Sequence, residues 1–325
     1  MPRLTRVRPH QDPGYRRMRS GSGFRYVDAK GKPPREVDLE RIRDLVIPPA
    51  WEDVWISKRA DGHIQAVGTD TAGRRQYIYN PLWTAGRDRG KYARALALAE
   101  ALPRARARVT TSLRTDGLHQ ERVLAVAFRM LDTAAPRIGS ERYLNAHGSH
   151  GLTTLQRRHA SVIIPTVSLS FPGKSGQRQM LEIDDEDLAL VLQLLVEGKP
   201  RAALLAWQRG RRRVALTPAE VNAYVRALTG GKFTAKDFRT LRGTILAAEA
   251  LARIGIADTK SDRKKAELLA VRATAQALGN TPSVARGSYI DPRVFKRYAE
   301  GNVLDLDRTP ESAIRALLRP GSVSE

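Results

Sequence analysis

The spacing of the apolar residues changes near residue 90, and this change limits the fold more than any other feature of the chain. Before it, short apolar and aromatic segments alternate with turn residues, which favours β-strands; the segments are residues 24–27, 54–56, 64–67 and 76–79. After it, apolar residues recur at helical spacing, as in residues 92–101, 119–131 and 185–196. We therefore predict an α+β fold: a small, mostly antiparallel β domain at residues 1–90 and a larger, mainly α-helical domain at residues 91–325.

Turn and capping residues mark the boundaries of individual elements. Two glycines and alternating charges at residues 84–91 predict an irregular hinge between the two domains. Thr217, Pro218 and Glu220 have the spacing of a capped helix N-terminus, and Gly230 is placed to end the same helix. Further helices are predicted at residues 38–46, from Thr234, from Ser261 or Asp262 to Gly279, and after Pro310.

One β-hairpin is predicted inside the helical domain. Residues 160–171 and 177–183 alternate between apolar and polar side chains, as strands do. Between them, residues 172–176 are rich in proline and glycine, which indicates a turn. Lys174 is therefore expected at the tip of a hairpin.

The charge balance indicates a polyanionic partner. The chain has 56 Lys and Arg residues against 34 Asp and Glu, a formal net charge of +22, so nucleic acid is the leading candidate. Charge alone does not separate an enzyme from a passive basic protein, but 325 residues with 42% hydrophobic composition are more than a simple packing protein needs. The chain has no cysteine, which excludes disulfides, thiolate zinc sites and thiol nucleophiles.

The sequence shows no membrane or secretory signal. Residues 1–19 contain no apolar stretch of the kind found in signal peptides, and no window approaches the roughly 20 apolar residues that span a bilayer. We therefore expect a soluble cytoplasmic protein that associates with the nucleoid.

Two patterns resemble known ligand-binding motifs but lack residues or elements that those motifs require. Residues 173–175 (Gly-Lys-Ser) end like a phosphate-binding P-loop, but that motif needs glycine where the chain has Ser168 and a helix where it has a predicted strand. His147, His150 and His159 lack the cysteine or helical acid that zinc sites usually include. We predict no metal site and interpret these histidines as polar loop residues near phosphates.

A short polar turn near the end of the chain carries a candidate nucleophile. Tyr289 lies within residues 287–292, between two predicted helices. Taken alone, it is more typical of a packing tyrosine with its hydroxyl at a wet edge. Lys174 and Arg239 are likewise typical of solvated or phosphate-contacting charges. The combination is more specific than its members, which are, in chain order, Arg137, Lys174, Arg239, Asn280 and Tyr289.

The segments around these residues resemble the type IB DNA topoisomerases, particularly the small bacterial and poxvirus-like forms. The matching segments are residues 135–139, 171–176, 236–240 and 278–289 in the large domain, and 47–51 and 76–79 in the small one. The likeness extends from about residue 23 to residue 292. Tyrosine recombinases share the catalytic arrangement but usually carry a histidine three residues before the second arginine, where this chain has Lys236.

The resemblance implies a set of catalytic roles. Tyr289 is the expected nucleophile, which attacks a DNA phosphorus to give a 3′-phosphotyrosyl enzyme and a free 5′-hydroxyl. Arg137 and Arg239 are expected to stabilise the nonbridging oxygens, and Lys174 to protonate the leaving 5′-oxygen. The family commonly has histidine after Gly279; Asn280 can donate a hydrogen bond there but cannot become cationic. No metal, nucleotide or redox cofactor is implied.

The resemblance also implies how the chain acts on its substrate. It predicts a monomer that closes as a clamp around double-stranded DNA and relaxes supercoils without ATP or metal, by strand cleavage, swivelling and religation. Arg75, Gln76, Tyr77 and Tyr79 resemble the family's groove-facing strand, although a packing role is equally favoured for one of the tyrosines. Two alternatives remain open at this point: a tyrosine recombinase, and a basic architectural DNA-binding protein without catalysis.

Overall fold

The computed structural model describes residues 4–319, apart from the side chain of Ser175. It divides into two compact units, Met1–Gly90 and Lys91–Glu325, and each has a hydrophobic core of its own. Across the described part of the chain, every helix is too short or too polar to cross a lipid bilayer.

An antiparallel sheet is the main structural element of the smaller unit, as predicted. Its strands are β1 (Gly14–Ser20), β2 (Gly23–Asp28), β3 (Glu52–Ser57), β4 (Ile64–Thr69) and β5 (Arg75–Tyr79), in the order β2-β1-β3-β4-β5. Helix α1 (Glu36–Asp44) contributes Ile42 to a core that also contains Ile56. Trp55 and Val67 belong to a second core, because successive residues of a strand point to opposite faces of the sheet.

The apolar pattern does not predict strand β1. Tyr15 is its one buried residue, and three of its other six residues are arginine. The strand is instead held by backbone pairing with β2 and β3. The Tyr15 hydroxyl also donates a hydrogen bond to the buried carboxylate of Asp38 at 3.0 Å. Formation of strand β1 therefore depends on backbone pairing and not on side-chain hydrophobicity.

Helices dominate the rest of the chain. They are α2 (Pro81–Leu113), α3 (Gln120–Ala134), α4 (Glu141–His147), α5 (Glu186–Val196), α6 (Pro218–Thr229), α7 (Ala235–Ile254), α8 (Lys260–Ala277), α9 (Pro282–Ser288), α10 (Arg293–Ala299) and α11 (Pro310–Leu318). Phe128 of α3 and Phe238 of α7 meet edge to face in the core of the larger unit, with ring centres 5.3 Å apart. Helix α7 is buried along much of its length, so it can hold functional side chains in fixed positions.

The irregular hinge predicted at residues 84–91 is wrong, because this segment lies inside helix α2. Glycine lowers helix propensity by about 1 kcal/mol relative to alanine but does not by itself end a helix. A Cβ atom at Gly86 or Gly90 would meet no other atom within 4 Å, so neither glycine is required by close packing.

The hairpin of the larger unit has one more strand than predicted. The chain turns at Ile164 and Pro165, which divides the expected first strand into β6 (Ala160–Ile163) and β7 (Thr166–Pro172). With β8 (Arg178–Asp184) they form a sheet in the order β6-β7-β8. A second hairpin, β9 (Ala206–Arg209) and β10 (Arg212–Ala215), occupies an arginine-rich stretch for which the apolar pattern predicted no strand.

Capping fixes the helices whose starts were predicted. At α6, the Glu220 carboxylate accepts from the Thr217 backbone N–H at 2.8 Å, and Gly230 ends the helix with φ of 68°. At α7, the Asp237 carboxylate accepts from the Thr234 backbone N–H at 2.9 Å. These bonds satisfy backbone donors that a helix leaves free at its N-terminus and thereby set where α7 begins.

Candidate active site

Tyr289 lies directly after helix α9, in the turn that leads to α10. Its backbone N–H donates to the Ala285 carbonyl at 3.0 Å, and its neighbour Ile290 is fully buried. The Tyr289 side chain itself is only half-buried. The phenol is therefore held by a packed turn without being sealed inside the apolar core.

Arg239 lies on α7 with its guanidinium beside this phenol. The residue is 5% exposed, and its guanidinium carbon lies 4.9 Å from the centre of the Tyr289 ring. One Nη donates to the Ala135 carbonyl at 2.6 Å and the other to the Leu278 carbonyl at 2.8 Å. Because these two backbone groups fix the planar guanidinium, its cationic face is presented to Tyr289 in a defined orientation.

Arg137 and Asn280 form a second pair of polar groups at the same place. Arg137 donates from one Nη to the Gly279 carbonyl at 3.3 Å and from the other to the Asn280 side-chain oxygen. An arginine can only donate, so the Asn280 amide must turn its oxygen to Arg137 and its NH₂ group away. Asn280 Nδ2 and Arg239 Nε are both buried and have no acceptor among the described residues. An anionic oxygen is the acceptor that such donors would favour.

The loop that carries Arg137 is shaped by a close backbone contact. Gly151 lies so near the loop that a Cβ atom there would be 2.6 Å from the Arg137 carbonyl oxygen. That carbonyl accepts a hydrogen bond of 2.7 Å from the Leu152 backbone N–H. Gly139, with φ of 78°, adopts the left-handed conformation that glycine tolerates best. Backbone packing, and not only its own side-chain bonds, therefore positions Arg137.

The cations around Tyr289 lower its pKa. Burial acts in the opposite direction and would raise the pKa of the phenol, but the nearby charge of Arg239 and a hydrogen bond from it outweigh this effect. Arg137 and Lys236 contribute in the same sense, and the net pKa lies below the ordinary 10.0. Burial and the charge of Arg239 in turn lower the pKa of Arg137. The site therefore favours negative charge on the phenolic oxygen.

Among the described residues, no hydrogen bond or ion pair joins Lys174 to the other four. Lys174 is exposed in a single helical turn, Lys174–Gly176, at the tip of the β7–β8 hairpin. The base of this hairpin does reach them, because the Gln179 side chain packs against both Gly173 and Gly279. The structure thus joins four of the predicted residues directly and places the fifth on a projecting hairpin anchored beside Gly279.

Comparison with known proteins identifies the family. Residues 81–303 match the profile of "Eukaryotic DNA topoisomerase I, catalytic core", and residues 23–70 match that of "Bacterial DNA topoisomerase IB, N-terminal domain". The chain belongs to the type IB DNA topoisomerase family. The DNA topoisomerase 1B of Acanthamoeba polyphaga mimivirus is 28% identical to it over 95% of both chains. The DNA topoisomerase 1B of Vaccinia virus (strain Copenhagen) is 22% identical over 82% of this chain and 80% of its own.

Sequence reasoning did not assign a role in the type IB site to Lys236 or Gln179. Lys236 precedes Arg239 by one helical turn on α7 and is close enough to lower the pKa of Tyr289. Residues three apart on a helix share a face, so its spacing from Arg239 was a usable signal. Gln179 had no such signal, because its contact with Gly279 joins two segments that are distant in the chain.

The four residues of β5 do not share one face. Gln76 alternates with the other three and donates to the Asp70 carboxylate at 2.8 Å, whereas Arg75, Tyr77 and Tyr79 lie on the opposite face. The rings of Tyr77 and Tyr79 are stacked with centres 5.9 Å apart. Tyr79 also packs against a core, and Tyr77 is 41% exposed. On this face of the strand Arg75 and Tyr77 are exposed, and Tyr79 is partly buried.

Two of the three histidines interpreted as polar loop residues are buried. His150 and His159 are 9% and 7% exposed, and their rings meet edge to face with centres 4.5 Å apart. Burial, reinforced by His150 and by Arg158 and Arg178, lowers the pKa of His159 to about 4. Their role is packing beneath the β7 strand, because Phe171 lies 6.3 Å from the His159 ring. Among the described residues, no cluster of three or more His, Asp or Glu side chains could hold a metal.

Proposed function

We propose that this chain is a type IB DNA topoisomerase that relaxes supercoiled duplex DNA by transient cleavage of one strand. The observation that carries the proposal is the phenol of Tyr289 held against the buried guanidinium of Arg239, with Arg137 and Asn280 beside it. The Tyr289 oxygen attacks a backbone phosphorus, the bond from phosphorus to the 5′-oxygen breaks, and the 3′-phosphate remains on the tyrosine. The reverse attack by the 5′-hydroxyl reseals the strand and releases the phenol.

The arginines stabilise the charge that develops during this transfer. In the pentavalent transition state, negative charge grows on the two nonbridging oxygens, and a fixed guanidinium matches their geometry. Arg239 has its Nε donor free of any acceptor among the described residues, and Asn280 has its Nδ2 donor free in the same sense. We assign these donors, together with Arg137, to the nonbridging oxygens. Since an amide does not titrate near neutral pH, Asn280 supplies hydrogen bonding and no proton transfer.

Lys174 is assigned to protonate the leaving 5′-oxygen. An alkoxide is a poor leaving group, so its departure needs an acid on the side opposite the attacking phenol. Lys174 is exposed at the end of a hairpin whose base is anchored at Gly279, next to Asn280. Such a side chain can approach a bound strand from outside the cluster of four. The sum of the steps leaves the proton count unchanged, since the phenol loses one proton and the 5′-hydroxyl gains one.

Relaxation by this route needs neither a nucleotide nor a metal, because the phosphotyrosyl bond conserves the energy of the phosphodiester. We propose that the chain acts as a monomer on double-stranded DNA, with the β-rich unit at residues 1–90 contributing DNA contacts and the unit at residues 91–325 the chemistry. On β5, we assign the DNA contact to Arg75 and Tyr77.

The test is relaxation of supercoiled plasmid in EDTA without ATP, compared between the wild type and Tyr289→Phe. We expect complete relaxation by the wild type and none by Tyr289→Phe, with DNA binding retained. Tyr298→Phe is the matched control, because that phenol is 2% exposed and donates to the Gly255 carbonyl at 2.7 Å. Tyr298→Phe should relax supercoiled plasmid as the wild type does. Relaxation by Tyr289→Phe would contradict the nucleophile assignment, and an unchanged linking number with the wild type would contradict the function.

The assignment of Lys174 has its own test, with a substrate in which sulfur replaces the 5′-bridging oxygen. A thiolate leaves without a proton, so Lys174→Ala should cleave this substrate nearly as fast as the wild type while cleaving normal DNA slowly. Lys199→Ala, another exposed lysine of the same unit, should behave as the wild type on both substrates. Equal impairment of Lys174→Ala on both substrates would contradict the acid role.

A further inference from the structure

The hydroxyl of Thr244 joins the turn that carries Tyr289 to helix α7. Thr244 is 2% exposed. Its Oγ1 accepts from the Asp291 backbone N–H at 3.1 Å and lies 3.2 Å from the Tyr289 carbonyl oxygen and 2.8 Å from the Thr240 carbonyl oxygen. Its single hydrogen is thus within reach of both carbonyls. One buried hydroxyl therefore connects the backbone on both sides of Ile290 to the helix.

The helix and the turn are also in direct backbone contact at this point. A Cβ atom on Gly243 would lie 2.9 Å from the Tyr289 carbonyl oxygen and 3.0 Å from the Tyr289 Cβ. Only hydrogen fits in that gap without displacing one of the two segments. The absence of a side chain at Gly243 thus lets the neighbouring Thr244 hydroxyl reach the turn.

Asp291 fixes the other end of the turn. Its carboxylate is 2% exposed and accepts from the Arg293 backbone N–H at 3.0 Å, from Arg293 Nε at 3.1 Å and from Arg293 Nη2 at 2.6 Å. Arg293 also donates to the Leu318 carbonyl, at the end of α11, at 3.3 Å. A buried carboxylate requires such compensation, so the turn is closed by a charge pair in addition to the threonine.

We propose that Thr244 and Asp291 are positioning residues, which hold the Tyr289 turn on α7 at the distance at which the phenol meets the Arg239 guanidinium. The proposal rests on the proposed role of Tyr289 as nucleophile. Arg239 and Thr244 belong to the same rigid helix, so a turn bonded to Thr244 has a fixed position relative to Arg239. Loss of the bond leaves the chemistry intact but lets the phenol move away from the cation that favours its anionic form.

Single-turnover cleavage of a linear duplex, measured from pH 6 to 10, tests the role of Thr244. Thr244→Val keeps the shape and removes the hydroxyl, and we expect cleavage at neutral pH to slow roughly two- to twelvefold, as for loss of one hydrogen bond. The pH profile should also move to higher pH, because the pKa of Tyr289 rises towards its ordinary value as Arg239 recedes. Thr244→Ser should restore both the rate and the profile.

Thr274→Val is the matched control. Thr274 is equally buried, on α8, and its hydroxyl bonds the Ala270 carbonyl of its own helix at 2.8 Å. Thr274→Val should leave the pH profile of cleavage unchanged. Wild-type cleavage by Thr244→Val would overturn the proposal, and so would an equal loss of rate in both valine variants without a shift of the profile, since that is the result of general destabilisation.

Asp291→Asn tests the charge pair in the same assay. It keeps the side-chain shape and should slow cleavage and move the profile in the same direction as Thr244→Val. Asp132→Asn is its control, since Asp132 is a similarly buried aspartate paired with Arg106 at 2.7 Å. Cleavage as in the wild type by folded Asp291→Asn would overturn the role of Asp291; if that variant does not fold, Thr244→Val and Thr244→Ser decide the proposal.

Tyr289→Phe, measured in parallel, distinguishes a failure of the proposed function from a failure of the positioning role alone. Cleavage by Tyr289→Phe would contradict the proposed function itself. An inactive Tyr289→Phe together with wild-type behaviour of Thr244→Val would contradict the positioning role alone.

Discussion

Arg239 differs from most arginines of this chain because its guanidinium is buried. Buried charge is costly unless it is hydrogen-bonded, and the Ala135 and Leu278 carbonyls provide two such bonds. Because the Arg239 charge is buried, its attraction for the Tyr289 phenolate is screened less than that of an exposed cation would be. The exposed Lys236 lies one helical turn before Arg239 and also lowers the pKa of Tyr289. At the scale of single residues, the pKa of this phenol depends on which cations lie close to it and on how deeply they are buried.

Lys236→Gln should move the pH dependence of cleavage to higher pH. Lys236 lowers the pKa of Tyr289, so its removal raises that pKa, and a smaller fraction of the phenol is anionic at neutral pH. We expect cleavage at pH 7 to slow by about two- to fivefold, in the range of a surface charge effect, and to recover at alkaline pH. Lys232→Gln, an exposed lysine just before α7, should leave the profile unchanged. A uniform loss of rate at every pH would contradict this account.

His159 should make folding stability depend on pH below neutrality. Its pKa falls from 6.5 to about 4 in the folded chain, because burial disfavours the charged imidazole and His150 and nearby arginines repel it. The unfolded chain therefore takes up a proton near pH 6.5 that the folded chain refuses until about pH 4. Stability is present above this window and is lost as the pH falls through it.

Urea unfolding at several pH values between 4 and 7 measures this effect. His159→Gln retains a side-chain acceptor without a titrating group, so its stability should fall less across the window than that of the wild type. His147→Gln, an exposed histidine at the end of α4, should follow the wild type. Identical pH dependence of the wild type and His159→Gln would show that another group controls acid unfolding.

Helix α7 and the β7–β8 hairpin carry different residues of the candidate site and differ in how far they are buried. Helix α7 carries Arg239 and Thr244 and is buried along much of its length. The hairpin projects Lys174 to solvent, while Gln179 holds its base against Gly279. Groups that stabilise charge need fixed positions, whereas a proton donor to a departing strand needs access to it. In the mechanism that we propose, α7 meets the first requirement and the hairpin the second.

Helix α2 offers a test of the segment that was predicted to be irregular. Gly86 and Gly90 lie inside the helix, with free space around each potential Cβ. Gly86→Ala and Gly90→Ala should therefore each stabilise the protein by about 0.5–1 kcal/mol in urea unfolding. Gly230→Ala is the opposite control, because φ of 68° at the end of α6 is strained for alanine and should destabilise. Destabilisation by Gly86→Ala or Gly90→Ala would indicate that this segment is not helical in solution.

At the scale of the whole molecule, the net charge of +22 sets how the chain meets its substrate. Lysines and arginines that neutralise DNA phosphates release bound counterions, so binding weakens as salt rises. A protein of this charge attracts any duplex, which gives affinity without sequence information. In the mechanism that we propose, cleavage depends on the few residues around Tyr289, whereas binding depends on many basic residues.

Binding to a labelled duplex should therefore fall steeply with salt. The logarithm of the affinity should decrease linearly with the logarithm of the salt concentration, by about 0.9 for each phosphate contacted. With six to ten such contacts the loss between 50 and 200 mM salt is about 10³ to 10⁵. Tyr289→Phe should show the same slope as the wild type, since the phenol adds no charge. An affinity independent of salt would contradict an electrostatic mode of binding.

Local sequence patterns predicted the strands β2 to β5, the capped start of α6 and the turn that holds Tyr289. They failed where the deciding interaction was distant or was made by the backbone. Strand β1 is charged and forms through pairing with β2 and β3. His150 and His159 look polar in sequence but are buried against each other. Gly86 looked like a break, yet a helix continues through it.

The sequence by itself determined the α+β class, the high positive net charge and, through resemblance, the identity of the five candidate residues. Composition and spacing suffice for these, because hydrophobic period and charge are properties of short stretches of chain. Only the tertiary structure decided that Arg137, Arg239, Asn280 and Tyr289 meet while Lys174 stands apart, and that Thr244 fastens the turn. Such contacts join residues that are far apart in the chain, by 143 positions for Arg137 and Asn280 and by 45 for Thr244 and Tyr289, and packing of the whole core sets their distances.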